Sequence, residues 1–232
     1  LKIDHNDNWS ITPTIMGQVQ ESNGVFGYNP AVQMNLARSL AVSDNDYFNM
    51  LGRELGSETL IRYSKQFGFG ERTGINHPGE TGAYIPAPAD QGGSGRMGVM
   101  GGDIRVTPLQ LAVFVSALFN GGKILVPQST SGEEPITVQD RGRLSINESS
   151  VAEIRKALRA AVETGTGKKA QQGIYQVSGK TGTVAHNDAN IGLFASYGIR
   201  QNSELVIVVV LEGRKENGAG AAQIAGKIYG SV

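Results

Sequence analysis

The chain has 232 residues, enough to bury a sizeable core as one domain. Its 21 basic and 21 acidic residues cancel, so no net field draws it to nucleic acid or to an anionic membrane. Cysteine is absent, which excludes disulfides, Cys-ligated zinc and a thiol nucleophile.

Residues 1–28 are polar and broken by Pro13, Gly17, Gly24 and Gly27. They read as a poorly defined lead-in of loop and short strand, with Trp9 as its one large anchor. Leu1-Lys2-Ile3-Asp4 shows neither a signal peptide nor an initiator Met, so a trimmed product is expected. No apolar run, including residues 109–119 and 205–211, is long enough to span a bilayer.

Asn29-Pro30 is a cap-plus-proline start for a helix through Val32, Leu36 and Leu40, which runs into the polar turn Ser43-Asp44-Asn45. Helices over 46–55 and 57–67 follow, stopped by Gly56 and Gly68. Residues 70–102 are dense in Gly and Pro and form a long excursion of the kind that lines sites. Within it Gly93-Ser94-Gly95-Arg96-Met97-Gly98 spells a dinucleotide fingerprint, but no buried strand precedes it and a nucleotide is not expected.

Thr107-Pro108 opens an apolar core helix ended by Gly121-Gly122. Residues 124–146 read as a peripheral hairpin or loop. Asn147 caps an amphipathic helix with Val151, Ile154, Leu158 and Val162 inward and Arg155, Lys156 and Arg159 outward, stopped by Gly165-Thr166-Gly167. Three strands, about 175–184, 191–199 and 204–211, form an antiparallel meander, and a helix over 219–229 with Ile224 and Ile228 on one face closes the chain. The fold class is α+β, an antiparallel sheet packed against helices.

Val177-Ser178-Gly179-Lys180-Thr181-Gly182-Thr183-Val184 is a strand with a cationic, hydroxyl-bearing centre. Its Gly-Lys-Thr is not a phosphate loop, because the glycine that pattern needs would fall at Ile174. No G-x-S-x-G occurs, no spacing ties His5, His77 or His186 to a serine and an acid, and no H-E-x-x-H is present; neither metal nor cofactor is expected. His186 reads as a solvated turn residue.

Ser43-Asp44-Asn45 and Lys180-Thr181-Gly182, each in its required helix or strand context, are the second and third parts of the set S-x-x-K, S-D-N, K-T-G. With Gly102-Asp103-Ile104-Arg105-Val106-Thr107-Pro108-Leu109-Gln110, Gly165-Thr166-Gly167 and residues 218–228, they give a chain that resembles, from about residue 29 to its end, the transpeptidase domain of class B-like penicillin-binding proteins. The resemblance implies a serine D,D-transpeptidase acting on D-alanyl-D-alanine stem peptides of peptidoglycan and acylated by β-lactams. Ser43 would relay protons, Asn45 would hold the substrate amide, Lys180 and Thr181 would bind its carboxylate, Gly182 would make room for it, and the Thr183 N–H would belong to an oxyanion hole. Asp44 receives no role.

No lysine in the chain has a serine three positions before it, so S-x-x-K is absent. The expectation is a single partial domain over 1–232, lacking the N-terminal portion of the fold and inactive alone. The missing segment or a second chain would complete it, within a membrane-anchored extracytoplasmic parent. A D,D-carboxypeptidase, a β-lactamase and a non-catalytic peptide- or partner-binding module are the alternatives.

Overall fold

The computed structural model describes residues 35–80, 82, 85, 104–129, 137–186 and 188–232. The lead-in over 1–28, Asn29-Pro30, His5 and the 93–98 fingerprint lie outside them.

Helix α1 (Leu36–Val42) begins later than the Asn29-Pro30 signal, because Asn35 is extended (φ −121°) and its side chain accepts from the Arg38 N–H as N-cap. Of the Val32–Leu40 stripe, Leu36 and Leu40 lie on this helix, and Val32 is outside the described residues. α1 ends in a Schellman arrangement, in which Ser43 N–H donates to Leu40 O at 3.3 Å and Asp44 N–H to Ser39 O at 2.9 Å. Asp44, given no role from sequence, is the N-cap of α2 (Asn45–Leu55) and accepts from the Tyr47 N–H at 2.7 Å. Gly56, at φ 74°, turns the chain into α3 (Ser57–Gln66).

Helix α4 (Pro108–Phe119) starts on a full capping box between Thr107 and Gln110. Gln110 is buried because it is satisfied there and by donating to Glu71 O at 2.6 Å. The peripheral hairpin is β1 (Lys123–Leu125) antiparallel to β2 (Asp140–Arg143). Helix α5 (Glu148–Glu163) carries the Asn147 cap and buries Val151, Ala157, Ala161 and Val162. Two of its arginines do not point outward as their helical position suggested. Arg155 donates to Leu118 O and lies over the Phe119 ring, and Arg159 donates to Val177 O at 3.0 Å; long stems let both heads reach neighbouring carbonyls.

A short 3₁₀ turn (Lys168–Ala170) leads to β3 (Gln176–His186), β4 (Ala189–Arg200) and β5 (Ser203–Gly213), antiparallel in the order β3-β4-β5. The strands run further into their connections than their turn residues implied. Residues 201–202 alone link β4 to β5, and His186 is the last residue of β3 and not a turn residue.

One sheet face carries Val177, Phe194, Val209 and the half-buried Leu205, Ile207 and Leu211 against Ala221, Ala222, Ala225 and Tyr229 of α6 (Gly218–Tyr229). Small residues make that contact close, and α6 thus buries its alanines while Ile224 and Ile228 stay 38% and 39% exposed. On the opposite face, Tyr197 stacks on Phe119 of α4 with centroids 4.0 Å apart. The sheet thus lies between helices.

Candidate active site

The site is a groove between the end of α1 and the outer edge of β3. Ser43 occupies the left-handed position of the Schellman cap (φ 61°), where glycine is the usual residue. A β-carbon there carries strain of about 1 kcal/mol, which places Ser43 among the strained positions that cluster at functional sites. The half-buried hydroxyl accepts from Lys180 Nζ at 2.9 Å, across 137 positions of sequence.

Lys180 projects from the middle of β3, opposite Ala195 of β4. Its ammonium also donates to Thr181 O at 2.8 Å and approaches Thr181 Oγ1 at 3.5 Å. Burial pushes its pKa down to about 8. Hydroxyl and carbonyl oxygens thus hold the cation, and among the described residues no carboxylate pairs with it.

The edge of β3 has a readable polarity. Val177 O is taken by Arg159 and Thr181 O by Lys180, so the backbone groups of these residues point away from β4. Two-residue alternation then aims the Thr183 N–H outward as well, on the open side of the strand. The Thr183 side chain is engaged elsewhere, accepting from the Gly218 N–H at 2.9 Å and tying β3 to the start of α6.

Glycines along β3 divide into two kinds. A β-carbon on Gly179 would lie 2.7 Å from Phe194 Cζ and from Ser196 Cβ, so the core itself requires that glycine. Among the described residues one on Gly182 would meet only Leu193, at 3.6 Å, an ordinary contact. Among the described residues the core does not demand Gly182.

The structure therefore brings Ser43, Lys180 and Thr181 together, with Gly182 and Thr183 continuing the same edge. Asn45 is exposed at the first position of α2, and among the described residues no hydrogen bond ties it to Lys180 or Thr181. Thr166 was not singled out as a site residue, yet its Oγ1 lies 2.6 Å from Thr181 Oγ1. Its only sequence signal was the Gly165-Thr166-Gly167 turn. Among the described residues no group of three or more His, Asp or Glu could hold a metal ion.

Ser43 and Lys180 thus meet across the edge of a helix-flanked antiparallel sheet. The family described as "Penicillin binding protein transpeptidase domain" matches residues 3–230, and the chain belongs to it. It is 27% identical over 229 residues to peptidoglycan D,D-transpeptidase MrdA of Acinetobacter baumannii, covering 84% of this chain and 34% of that protein. It is 32% identical over 210 residues to stage V sporulation protein D of Bacillus subtilis, covering 82% and 32%. The chain thus spans about a third of the length of these relatives.

Among solved structures, a putative peptidoglycan glycosyltransferase from Atopobium parvulum superposes with a TM-score of 0.74 at 22% identity, covering 88% of this chain and 52% of the other. Penicillin-binding protein 2 of Helicobacter pylori, solved as a complex with MreC, gives 0.71 at 20% identity, covering 86% and 40%. These superpositions establish the fold.

Proposed function

We propose that this chain is the C-terminal part of the transpeptidase domain of a peptidoglycan D,D-transpeptidase working through a serine acyl-enzyme. The observation that carries the reading is the 2.9 Å bond from Lys180 Nζ to Ser43 Oγ, which joins the two motifs in one groove. A fixed ammonium beside a hydroxyl lowers the cost of proton movement during acyl transfer and attracts the terminal carboxylate of a D-alanyl-D-alanine stem or a β-lactam. Thr181 adds a hydroxyl to that carboxylate, Gly182 admits the peptide along the strand edge, and the outward Thr183 N–H stabilises the oxyanion. Asn45, exposed at the start of α2, is the residue the motif assigns to the substrate amide. Activity on such a substrate places the protein outside the cytoplasmic membrane. Among the described residues no helix is long and apolar enough to cross a membrane.

The chain contains no S-x-x-K, and the nucleophile is supplied by a segment of the parent protein that precedes residue 1. Two features support a fold completed by that segment. Among the described residues the outer edge of β5 has no partner strand, and Val210 of β5 and Ile224 and Ile228 of α6 stand 44%, 38% and 39% exposed.

Fluorescent penicillin tests the reading. The full-length parent is expected to become covalently labelled, and the present chain alone is not. A parent that folds yet stays unlabelled would favour a non-catalytic binding module. Labelling of the isolated chain would overturn the placement of the nucleophile. In sedimentation the isolated chain is expected to self-associate through its uncovered edge; a well-behaved monomer would count against the missing cover.

A further inference from the structure

Thr166 closes a ring of hydrogen bonds around the groove. Its backbone N–H donates to Ala41 O at 3.0 Å, two residues before Ser43, while its hydroxyl meets that of Thr181 at 2.6 Å. Lys180 completes the circuit by reaching both Thr181 Oγ1 and Ser43 Oγ. The turn has no freedom to be elsewhere. A β-carbon on Gly165 would sit 2.0 Å from Ala41 O, and one on Gly167 would sit 3.2 Å from both Ala161 O and Phe194 Cε2. Backbone contacts thus fix Thr166 from the α1 side, and its β-branch restricts the hydroxyl to few rotamers.

Two hydroxyl oxygens at 2.6 Å share one hydrogen, so the pair retains a second. That second hydrogen has no acceptor among the described residues, and the pair lies at the exposed rim of the groove with the Lys180 ammonium beside it. A lone Thr181 hydroxyl would rotate toward whatever acceptor lies nearest. Held against Thr166, the pair keeps one donor at the rim next to a positive charge, whichever of the two hydroxyls donates to the other, the arrangement that suits one anionic oxygen and gives little to a neutral one.

We propose that Thr166 is a positioning residue that aims the Thr181 hydroxyl and so sets the preference of the groove for a carboxylate over its neutral ester. The proposal rests on the acyl-transfer reading above. It goes beyond the motif residues in assigning ligand selectivity to the turn that bridges the two motifs.

The test compares acylation of the full-length parent by benzylpenicillin and by its methyl ester. Thr166→Val is expected to lower the acid-to-ester ratio of second-order rate constants on the order of tenfold, through the benzylpenicillin rate alone. Thr166→Ser is expected to restore the ratio. If both rates fall together, or the ratio is unchanged, Thr166 is architectural and the proposal is overturned. If the wild-type parent is acylated by neither, the acyl-transfer reading fails separately. The same ratio is then read from competition binding of a D-alanyl-D-alanine peptide and its C-terminal amide, where equal discrimination by wild type and Thr166→Val overturns the assignment.

Discussion

The two banks of the groove differ in how they are held. On the β3 bank, Val177 is 1% exposed, Gly179 is pressed against Phe194 and Ser196, and the start of α6 closes on Thr181 and Gly182. Lys180 therefore inherits its position from the main core. On the other bank, Ser43 ends a seven-residue helix, is followed by the exposed Asn45 and Asp46, and has a strained backbone. Its place is set by the packing of α1 on α5, the approach of Gly165 and Thr166 to Ala41, and the bond from Lys180. One bank is core and the other is bracketed to it. Substitutions in the bracket should move the groove; those in the core should melt the domain.

The sharpest way to break the bracket is Gly165→Ala. The added carbon would sit 2.0 Å from a backbone oxygen that has no rotamer to escape into, so α1 must shift away from α5. A loss of about 3 kcal/mol is expected in urea unfolding, the upper range for overpacking. Penicillin labelling of the parent should disappear together with it. A loss below about 1 kcal/mol would show that α1 yields easily and that the bracket does not set the groove.

Next in size is Lys180→Met, which separates electrostatics from packing on the core bank. Burial holds the folded-state pKa at about 8 against an unfolded value near 10.5. Between those two pH values the unfolded chain binds more protons, so stability rises with pH across that window. Below about pH 8 the cost of burying the charge is fully present. Wild type should therefore gain on the order of 3 kcal/mol relative to Lys180→Met between pH 8 and 10.5, read as a difference of unfolding free energies. Function runs the opposite way: acylation of the parent should fall above about pH 8, where the free protein loses its ammonium. A flat difference in stability would mean that Lys180 is not desolvated in the fold.

How much of this contrast was readable in the sequence differs between the banks. The β3 bank was legible because strands announce themselves: apolar alternation, β-branched residues and turn formers placed all three strands and their antiparallel order. Lys180 and Thr181 were picked out on that strand by the K-T-G motif and the resemblance it carries, not by periodicity. The bracket was hardly legible. Thr166 reaches Thr181 only because two glycines let a turn press against Ala41, a tertiary contact with no periodic signature. The Asn35 cap of α1 was missed for a similar reason, since its side chain accepts from the Arg38 N–H without any periodic signal to mark it. Helix α6 shows a third kind of failure. Its isoleucines were the conspicuous apolar residues, but its alanines face the sheet because only they allow so close a packing.

Ser43→Gly sharpens the comparison at about 1 kcal/mol. Glycine relieves the left-handed backbone at φ 61° and keeps the Schellman cap, but it loses the acceptor for Lys180 and is freer when unfolded. Stability at pH 7 should change by no more than about 1 kcal/mol in either direction, whereas labelling of the parent should drop at least tenfold. If labelling survives, the Ser43 hydroxyl has no part in acyl transfer.

The smallest expected effect on stability comes from Gly182→Ala, and it is informative for that reason. Gly179 and Gly182 lie three residues apart on the same strand, but among the described residues internal contacts demand only Gly179, with Phe194 and Ser196 each 2.7 Å from a would-be β-carbon. At Gly182 the added carbon meets Leu193 at 3.6 Å, and alanine is the better strand residue. The unfolding free energy should stay within about 0.5 kcal/mol of wild type, while acylation of the parent slows because the carbon occupies the edge along which the ligand lies. Gly179→Ala, at the same chemistry, should cost at least about 2 kcal/mol. Should Gly182→Ala destabilise as much as Gly179→Ala, the space beside Gly182 belongs to the core and not to a ligand, and the groove as drawn would lose its floor.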